Sequence, residues 1–260
     1  MNGLHFFFGI GSLVAPIIVA QVVGMTGNIC WVYWSFALMM LPIAAWLWTL
    51  PSPPVRIKSS YNRSEKDPLL LVGLFVAFFI MYVGVEVGYG NWIFTYTTNL
   101  KLATEADAAY LTSAFWGFFT IGRLLGIGIS TRLRSWVILS VDLLGCLLSL
   151  GVILFWPLSS MALWIGTLTL GLFMASIFPT TLAFSEECIH LTGTVTSWFL
   201  VGGGFGGMFW SGLIGQLFEP VGPHVTMTII FTAILISLGV LVAMTMHPKK
   251  MVYEKGIHSS

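Results

Sequence analysis

Residues 69–98 read LLLVGLFVAFFIMYVGVEVGYGNWIFTYTT, and Glu86 is the one charged side chain in this stretch. A helix needs about 20 mainly apolar residues to cross about 30 Å of hydrocarbon, so the stretch predicts a transmembrane helix. Similar apolar stretches fill most of the remaining chain, at 3–24, 28–50, 107–131, 134–156, 160–185, 192–218 and 224–246. The sequence therefore predicts an all-α membrane protein with eight transmembrane helices.

The composition of the whole chain supports this class. Of 260 residues, 57% are hydrophobic and 8% are charged, whereas soluble domains carry about 25% charged residues. We therefore expect the lipid bilayer as the main partner of the chain. A net charge of +1 offers no basic surface for nucleic acid. The cysteines, Cys30, Cys146 and Cys188, are not spaced as metal ligands, so we expect no metal site and no cofactor.

One polar segment divides the chain. Residues 51–68, PSPPVRIKSSYNRSEKDP, contain prolines that block a helix and charges that cannot enter lipid. We predict two helices in residues 1–50, a linker over 51–68, a six-helix unit over 69–248 and a tail over 249–260.

The distribution of Lys and Arg predicts the orientation, because cationic loops stay in the cytoplasm. With the linker inside, Lys101 is the one outer cation. Both termini are then cytoplasmic, and the Asn62-Arg63-Ser64 sequon is not glycosylated. The inner cations are Arg56, Lys58, Arg63, Lys66, Arg132, Arg134, Lys249, Lys250 and Lys255.

Glu86 is the strongest candidate for a functional residue, because an ionisable group within an apolar helix costs a few kcal/mol unless it faces a cavity or a partner. At 100° per residue it shares one helix face with five neighbours. Three interpretations remain open: a carboxylate that binds a cation or a sugar, a gating group, and a protonated side chain in an interhelical hydrogen bond. The predicted stripe is Tyr82, Glu86, Tyr89, Ile93, Tyr96 and Thr97.

Two further patterns predict helix geometry. Gly84 and Gly88 form a G-x-x-x-G pattern that permits close helix approach. Residues 202–207, GGGFGG, match the spacing of a dinucleotide-binding fingerprint, but no strand precedes them, so we favour tight helix packing or bending. Pro179 predicts a kink that frees the carbonyl four residues earlier.

Several strings together resemble the major facilitator superfamily, within it the branch of sodium-dependent glucose transporters and fucose-permease-like proteins. The resemblance covers nearly the whole chain and maps to the fifth to twelfth helices of that fold. It implies a major-facilitator-type bundle with an incomplete N-terminal half, cation-coupled transport and plasma-membrane location. The strings are residues 2–16, NGLHFFFGIGSLVAP; 82–96, YVGVEVGYGNWIFTY; 115–123, FWGFFTIGR; 178–179, FP; and 185–187, SEE.

The expected site residues fall into two groups. Tyr82, Glu86, Tyr89, Asn91 and Trp116 are expected to bind the substrate, since a pyranose presents C–H faces to an aromatic ring and hydroxyls to polar side chains. Core packing is the equal alternative for Trp116. The second group follows from the resemblance, in which residues 122–134 look like a copy of the cytoplasmic gating loop. Asp142 and either Glu186 or Glu187 could pair with Arg123 there, and we expect an inner gate of Arg123, Asp142 and Glu186. Snorkelling to the interface is the alternative for Arg123.

The expected function is secondary active transport of a small polar solute, a hexose, with sodium or a proton as the co-transported cation. No enzyme motif such as H-E-x-x-H or G-x-S-x-G is present, so we expect no enzymatic activity. The alternative is a non-transporting truncated membrane protein that associates with a full-length transporter. Because the first four helices of the family have no counterpart here, we expect transport to require them or a full-length partner.

Overall fold

A computed structural model describes residues 11, 14–15, 18–19, 21–51 and 69–246, and these residues are helical with short turns and no β-strand. Most of the first predicted span, almost all of the linker with its Asn62 sequon, and the tail lie outside the described residues. The principal helices are α1 (Cys30–Thr49), α2 (Leu69–Asn99), α3 (Glu105–Ser130), α4 (Ser135–Phe155), α5 (Ser160–Met174), α6 (Ile177–Cys188), α7 (Gly193–Val221) and α8 (Val225–Met246).

The chain divides into two compact units. The smaller unit holds α1, a 20-residue helix in which Val32 is the buried residue. Most of its other large side chains, including Trp34 and Trp48, are exposed. An apolar surface of this kind suits lipid or another membrane helix rather than water.

The larger unit holds α2 to α8, with α2 at its centre. This helix packs against α3, α6, α7 and α8, while α4 packs against α5, α6 and α8. The core consists of aromatic and aliphatic side chains, with Phe75, Phe79 and Phe199 fully buried. Phe79 stacks on Phe199 with ring centroids 5.2 Å apart, which joins α2 to α7.

Hydroxyl side chains determine where three helices begin. Thr104 accepts a hydrogen bond from the backbone N–H of Asp107 at 3.1 Å, which caps α3. Ser159 caps α5 by accepting from Ala162, and Thr192 caps α7 in the same way. A side-chain oxygen at this position satisfies one of the backbone N–H groups that the first turn leaves unpaired.

Within the described residues, six segments are long and apolar enough to cross a membrane. They are α1, α2, α3, α4, α8 and the combined segment Ser160–Cys188, which contains α5 and α6. Helix α7 is not in this group although it has 29 residues. Glycine is far less hydrophobic than Leu or Ile, and four of the α7 glycines, Gly202, Gly203, Gly206 and Gly207, are buried against α2.

The contact between α2 and α7 confirms the close approach that the glycines predict. A Cβ atom at Gly206 would collide with the backbone carbonyl of Ile80. A Cβ atom at Gly84 would collide with the Trp210 ring. The two helices therefore approach at a separation that only glycine permits at these positions, as in other membrane helix pairs. Because residues 202–207 lie inside a helix, they do not form a dinucleotide-binding loop.

The predicted kink at Pro179 is also confirmed. The segment 160–185, expected as one helix, consists of α5 and α6 separated by a turn at Ala175 and Ser176. Proline has no backbone N–H and its ring clashes with the carbonyl of the residue four positions earlier, here Ala175. The helix therefore breaks at Ala175, four residues before the proline.

Candidate functional site

The predicted polar stripe on α2 lies inside the larger unit. Each of its six members is buried, so this face of α2 packs against other helices rather than against lipid. A polar face inside a bundle is the usual place for ionisable groups in a membrane protein. The buried members are Tyr82, Glu86, Tyr89, Ile93, Tyr96 and Thr97.

Glu86 lies near the middle of α2 and is 7% exposed. Its carboxyl group interacts with the Tyr82 hydroxyl and with the charge of Arg123 on α3. The Tyr82 hydroxyl in turn donates a hydrogen bond to the carbonyl oxygen of Met174, at 2.8 Å. Met174 is the last residue of α5, so this polar cluster adjoins the break between α5 and α6.

Arg123 is 4% exposed, which is unusual for an arginine. Its guanidinium carbon lies 4.4 Å from the centre of the Phe119 ring, a cation–π contact. Its Nε and Nη1 atoms are buried and have no hydrogen-bond partner among the described residues. A buried guanidinium with unpaired N–H groups can donate hydrogen bonds to a new partner, either another side chain or a bound molecule.

Arg123 and Glu186 line the same cavity, which we call the polar cavity. Its volume is about 230 Å³, and it lies between α3, α4 and α6. Glu186 is exposed, whereas Arg123 is buried. The two residues have opposite charges, so closure of this cavity would bring an attractive pair together. The lining residues are Arg123, Gly126, Ser130, Ser135, Ile138, Ser176, Pro179, Thr180, Leu182, Ala183 and Glu186.

Asp142, the third predicted gate residue, does not line the polar cavity. Its carboxylate accepts a hydrogen bond from the hydroxyl of Ser176, in the turn between α5 and α6. Glu187, which follows Glu186 in α6, accepts a hydrogen bond from the Ser135 hydroxyl at 2.6 Å, and this bond joins α6 to the start of α4. The structure therefore shows Asp142 and Glu187 bonded to serines and not to Arg123.

Tyr89 lies about one helical turn beyond Glu86 on the same face of α2 and contacts α5. Its hydroxyl is 2.6 Å from the Thr167 hydroxyl, and either group can be the donor. Its ring centroid lies 5.0 Å from that of Phe115, which contacts Trp116 at the same distance. Trp116 packs over Gly90, where a Cβ atom would lie 2.6 Å from the indole. Tyr89 and Trp116 thus belong to one aromatic group.

Asn91 occupies another part of the α2 surface. It is exposed, and its Nδ2 atom donates to the Ser211 hydroxyl of α7 at 3.2 Å. Trp92 also binds Ser211, donating from its indole nitrogen to the backbone carbonyl at 3.1 Å. The structure therefore brings Tyr82 and Glu86 together, places Tyr89 near Trp116, and separates Asn91 from both pairs.

Comparison with known proteins identifies the family to which this chain belongs. The sequence profile of the Major Facilitator Superfamily matches residues 1–211. The chain belongs to the major facilitator superfamily. It is 28% identical over 256 residues to sodium-dependent glucose transporter 1A of Mus musculus, covering 84% of this chain and 60% of that protein. It is 27% identical to sodium-dependent glucose transporter 1 of Homo sapiens, covering 84% of this chain and 49% of that protein.

A third relative represents the same branch of the superfamily. The human major facilitator superfamily domain-containing protein 4A is 33% identical over 155 residues, which cover 59% of this chain and 30% of that protein. These relatives confirm the branch that the sequence motifs indicate. The chain spans about half the length of the sodium-dependent glucose transporters that it matches.

Three polar partners in this superfamily member were not predicted from the sequence. They are the carbonyl of Met174, the hydroxyl of Ser176 and the hydroxyl of Thr167. Pro179 was the available signal for the Met174 carbonyl, because a helix break leaves backbone groups without helical partners. The Ser176 hydroxyl is a side-chain group that this signal does not indicate. No pattern indicates Thr167, since serines and threonines recur throughout the spans. In the part of the chain that the structure describes, no three His, Cys, Asp or Glu side chains converge as a metal site.

Proposed function

We propose that this chain acts in cation-coupled transport of a small polar solute, a hexose, by alternating access in the plasma membrane. Family membership supports transport in general. Two relatives are named sodium-dependent glucose transporters, which supports glucose as the solute and sodium as the cation. The observation that carries the proposal is Glu86, a carboxyl group buried at mid-span beside Tyr82 and the charge of Arg123.

Glu86 is proposed as the residue that couples cation and solute. A buried carboxylate in a membrane helix is stabilised by a positive partner, and Arg123 supplies one in this conformation. A co-transported sodium ion or proton would neutralise Glu86 in place of Arg123. That neutralisation would remove the electrostatic attraction of Glu86 for the guanidinium, whose Nε and Nη1 atoms have no hydrogen-bond partner among the described residues. Because Arg123 lies on α3, a change in the charge of Glu86 would alter the position of this helix.

The solute contacts are proposed for Tyr82, Glu86, Tyr89, Asn91 and Trp116. The aromatic group around Tyr89 and Trp116 offers a ring face to the C–H groups of a sugar, while hydroxyls and the carboxylate offer hydrogen bonds. Asn91 lies apart from this group, so its contact with solute requires a conformation different from the one described. It is the weakest member of the set.

The inner gate is proposed to consist of Arg123, Glu186 and Asp142. Arg123 and Glu186 face one cavity from opposite helices, α3 and α6, so a closed state can pair them. Asp142 contributes indirectly, because its bond to Ser176 fixes the turn from which α6 begins. A gate that pairs charges in one state and separates them in the other is a common device in such transitions.

Uptake of radiolabelled hexose into proteoliposomes tests the proposal, with protein of native length and imposed sodium or proton gradients. We expect gradient-dependent uptake by the wild type. A Glu86→Gln variant should lose at least about tenfold of the gradient-driven rate, since it removes the charge and keeps the shape. Absence of uptake by the wild type under every gradient would favour the alternative, a non-transporting protein that associates with a complete transporter.

A further inference from the structure

A second cavity lies on the surface of the larger unit, between α3, α4 and α5. Its volume is about 260 Å³, and we call it the apolar groove. Its outer walls are exposed, with Leu125 at 54% and Val141 at 52%, so in a bilayer the groove opens towards lipid. Most of its walls are aliphatic or aromatic, and they include Leu125, Ile129, Leu133, Ile138, Val141 and Phe173.

Asp142 is the one charged residue among those that line the apolar groove. It is 7% exposed, and it receives a hydrogen bond from Ser176. No Lys or Arg among the described residues forms an ion pair with it, and Arg123 lines the polar cavity rather than the apolar groove. A carboxylate at the floor of a lipid-facing groove has a high free energy unless a cation or a donor joins it.

We propose that the apolar groove binds a membrane-dissolved amphiphile with a primary ammonium group, which pairs with the Asp142 carboxylate. The aliphatic walls would hold the apolar body of the molecule, and a longer tail would continue into lipid past Leu125 and Val141. The choice of an amine follows from charge complementarity: the groove offers one buried negative charge and almost no other polar surface. Charge-assisted hydrogen bonds are the strong kind in such surroundings.

A molecule bound in the apolar groove would affect the polar cavity through Ser176. This residue lines both cavities, and its hydroxyl binds Asp142. An ammonium group at Asp142 would compete with that hydroxyl and weaken the bond that holds the turn between α5 and α6. The proposed site therefore offers a route by which a lipophilic amine would alter the inner gate. It goes beyond the proposed transport function and does not depend on the solute.

Equilibrium binding tests the site directly. The 260-residue chain is placed in phosphatidylcholine nanodiscs and titrated with tritiated 1-aminoadamantane, and partitioning into empty nanodiscs is subtracted. The competitors 1-adamantanol and adamantane-1-carboxylate have the same apolar cage and differ in the polar group. We expect saturable binding of the amine, with both competitors at least about tenfold weaker. Equal displacement by the alcohol, or stronger displacement by the carboxylate, would overturn the proposal in favour of a neutral or an anionic occupant.

Two pairs of variants locate the binding. Asp142→Asn should weaken amine binding at least about tenfold, whereas Glu219→Gln, at an exposed acid in the last turn of α7, should leave it unchanged. Val141→Trp narrows the groove and keeps the carboxylate, so it should weaken binding even if Asp142→Asn does not fold. Leu148→Trp on the exposed face of α4 is its control. Wild-type affinity in folded Asp142→Asn or Val141→Trp would place the amine elsewhere and end the proposal.

Discussion

The hydroxyl of Tyr82 on α2 donates a hydrogen bond to the carbonyl oxygen of Met174, the last residue of α5, at 2.8 Å. The two residues are 92 positions apart in the chain. The bond therefore ties the central helix, which carries Glu86, to the point at which the next helix breaks. Glu86 lies one helical turn further along the same buried face of α2, so its charge acts electrostatically on this hydroxyl.

The first prediction concerns the stability that this bond contributes. Tyr82→Phe removes the hydroxyl and leaves a buried carbonyl unpaired, which should lower the free energy of unfolding by about 1 kcal/mol. Thermal unfolding in detergent, followed by tryptophan fluorescence, measures the change. Tyr110→Phe on α3 is the control, since Tyr110 is 68% exposed. Equal unfolding midpoints for the two variants would show that the Tyr82 bond does not stabilise the fold.

The second prediction concerns the contact between α2 and α7. Gly206→Ala should destabilise the protein by about 1–3 kcal/mol, because the added Cβ meets the backbone of Ile80, which cannot rotate away. Gly204→Ala, two residues earlier on the same helix, has no atom within 4 Å of the added Cβ. Alanine is the better helix former, so this variant should be neutral or more stable. Thermal unfolding measures the stability of both variants. A Gly204→Ala variant less stable than the Gly206→Ala variant would contradict this packing.

The third prediction concerns the pair Tyr89 and Thr167. Their hydroxyls are buried and 2.6 Å apart, so a double-mutant cycle of Tyr89→Phe and Thr167→Val should give a coupling free energy of about 0.5–1 kcal/mol. Chemical unfolding in mixed micelles provides the four stabilities. Additive effects of the two substitutions would mean that the hydroxyls do not interact in the membrane-embedded protein.

The fourth prediction concerns exposure and sidedness of the polar cavity. Ala183 is exposed and lines the cavity, whereas Thr181 on the same helix is fully buried. With Cys30 replaced by serine, Ala183→Cys should react with a membrane-impermeant thiol reagent much faster than Thr181→Cys. The reaction should occur in inside-out vesicles, because the distribution of Lys and Arg predicts that this end is cytoplasmic. Labelling only in right-side-out vesicles would reverse the predicted orientation.

Much of the fold could be predicted from sequence because lipid imposes simple rules. Apolar length predicts the spans, and proline and glycine mark where a helix breaks or two helices approach. Helix α7 shows where the length rule weakens, since its glycine-rich buried face lowers its hydropathy. Helical periodicity also predicts that the stripe around Glu86 turns inward, because polar side chains avoid lipid.

The pairing of polar side chains was harder to predict. The family resemblance implies Asp142 as a partner of Arg123 in the inner gate, and this gate stays a prediction. The structure shows Asp142 bonded to the hydroxyl of Ser176, which lies in the turn between α5 and α6. Which of several acids reaches a given cation depends on helix rotation and on cavity shape. Neither property follows from spacing along one chain.

The most direct measurement of the central claim is hexose uptake by wild-type and Glu86→Gln protein of native length under a sodium gradient, a proton gradient and no gradient. If Glu86 couples the cation to the solute, one gradient accelerates wild-type uptake, and Glu86→Gln removes that acceleration by at least about tenfold while the protein stays folded. Wild-type acceleration that persists unchanged in Glu86→Gln would contradict the account.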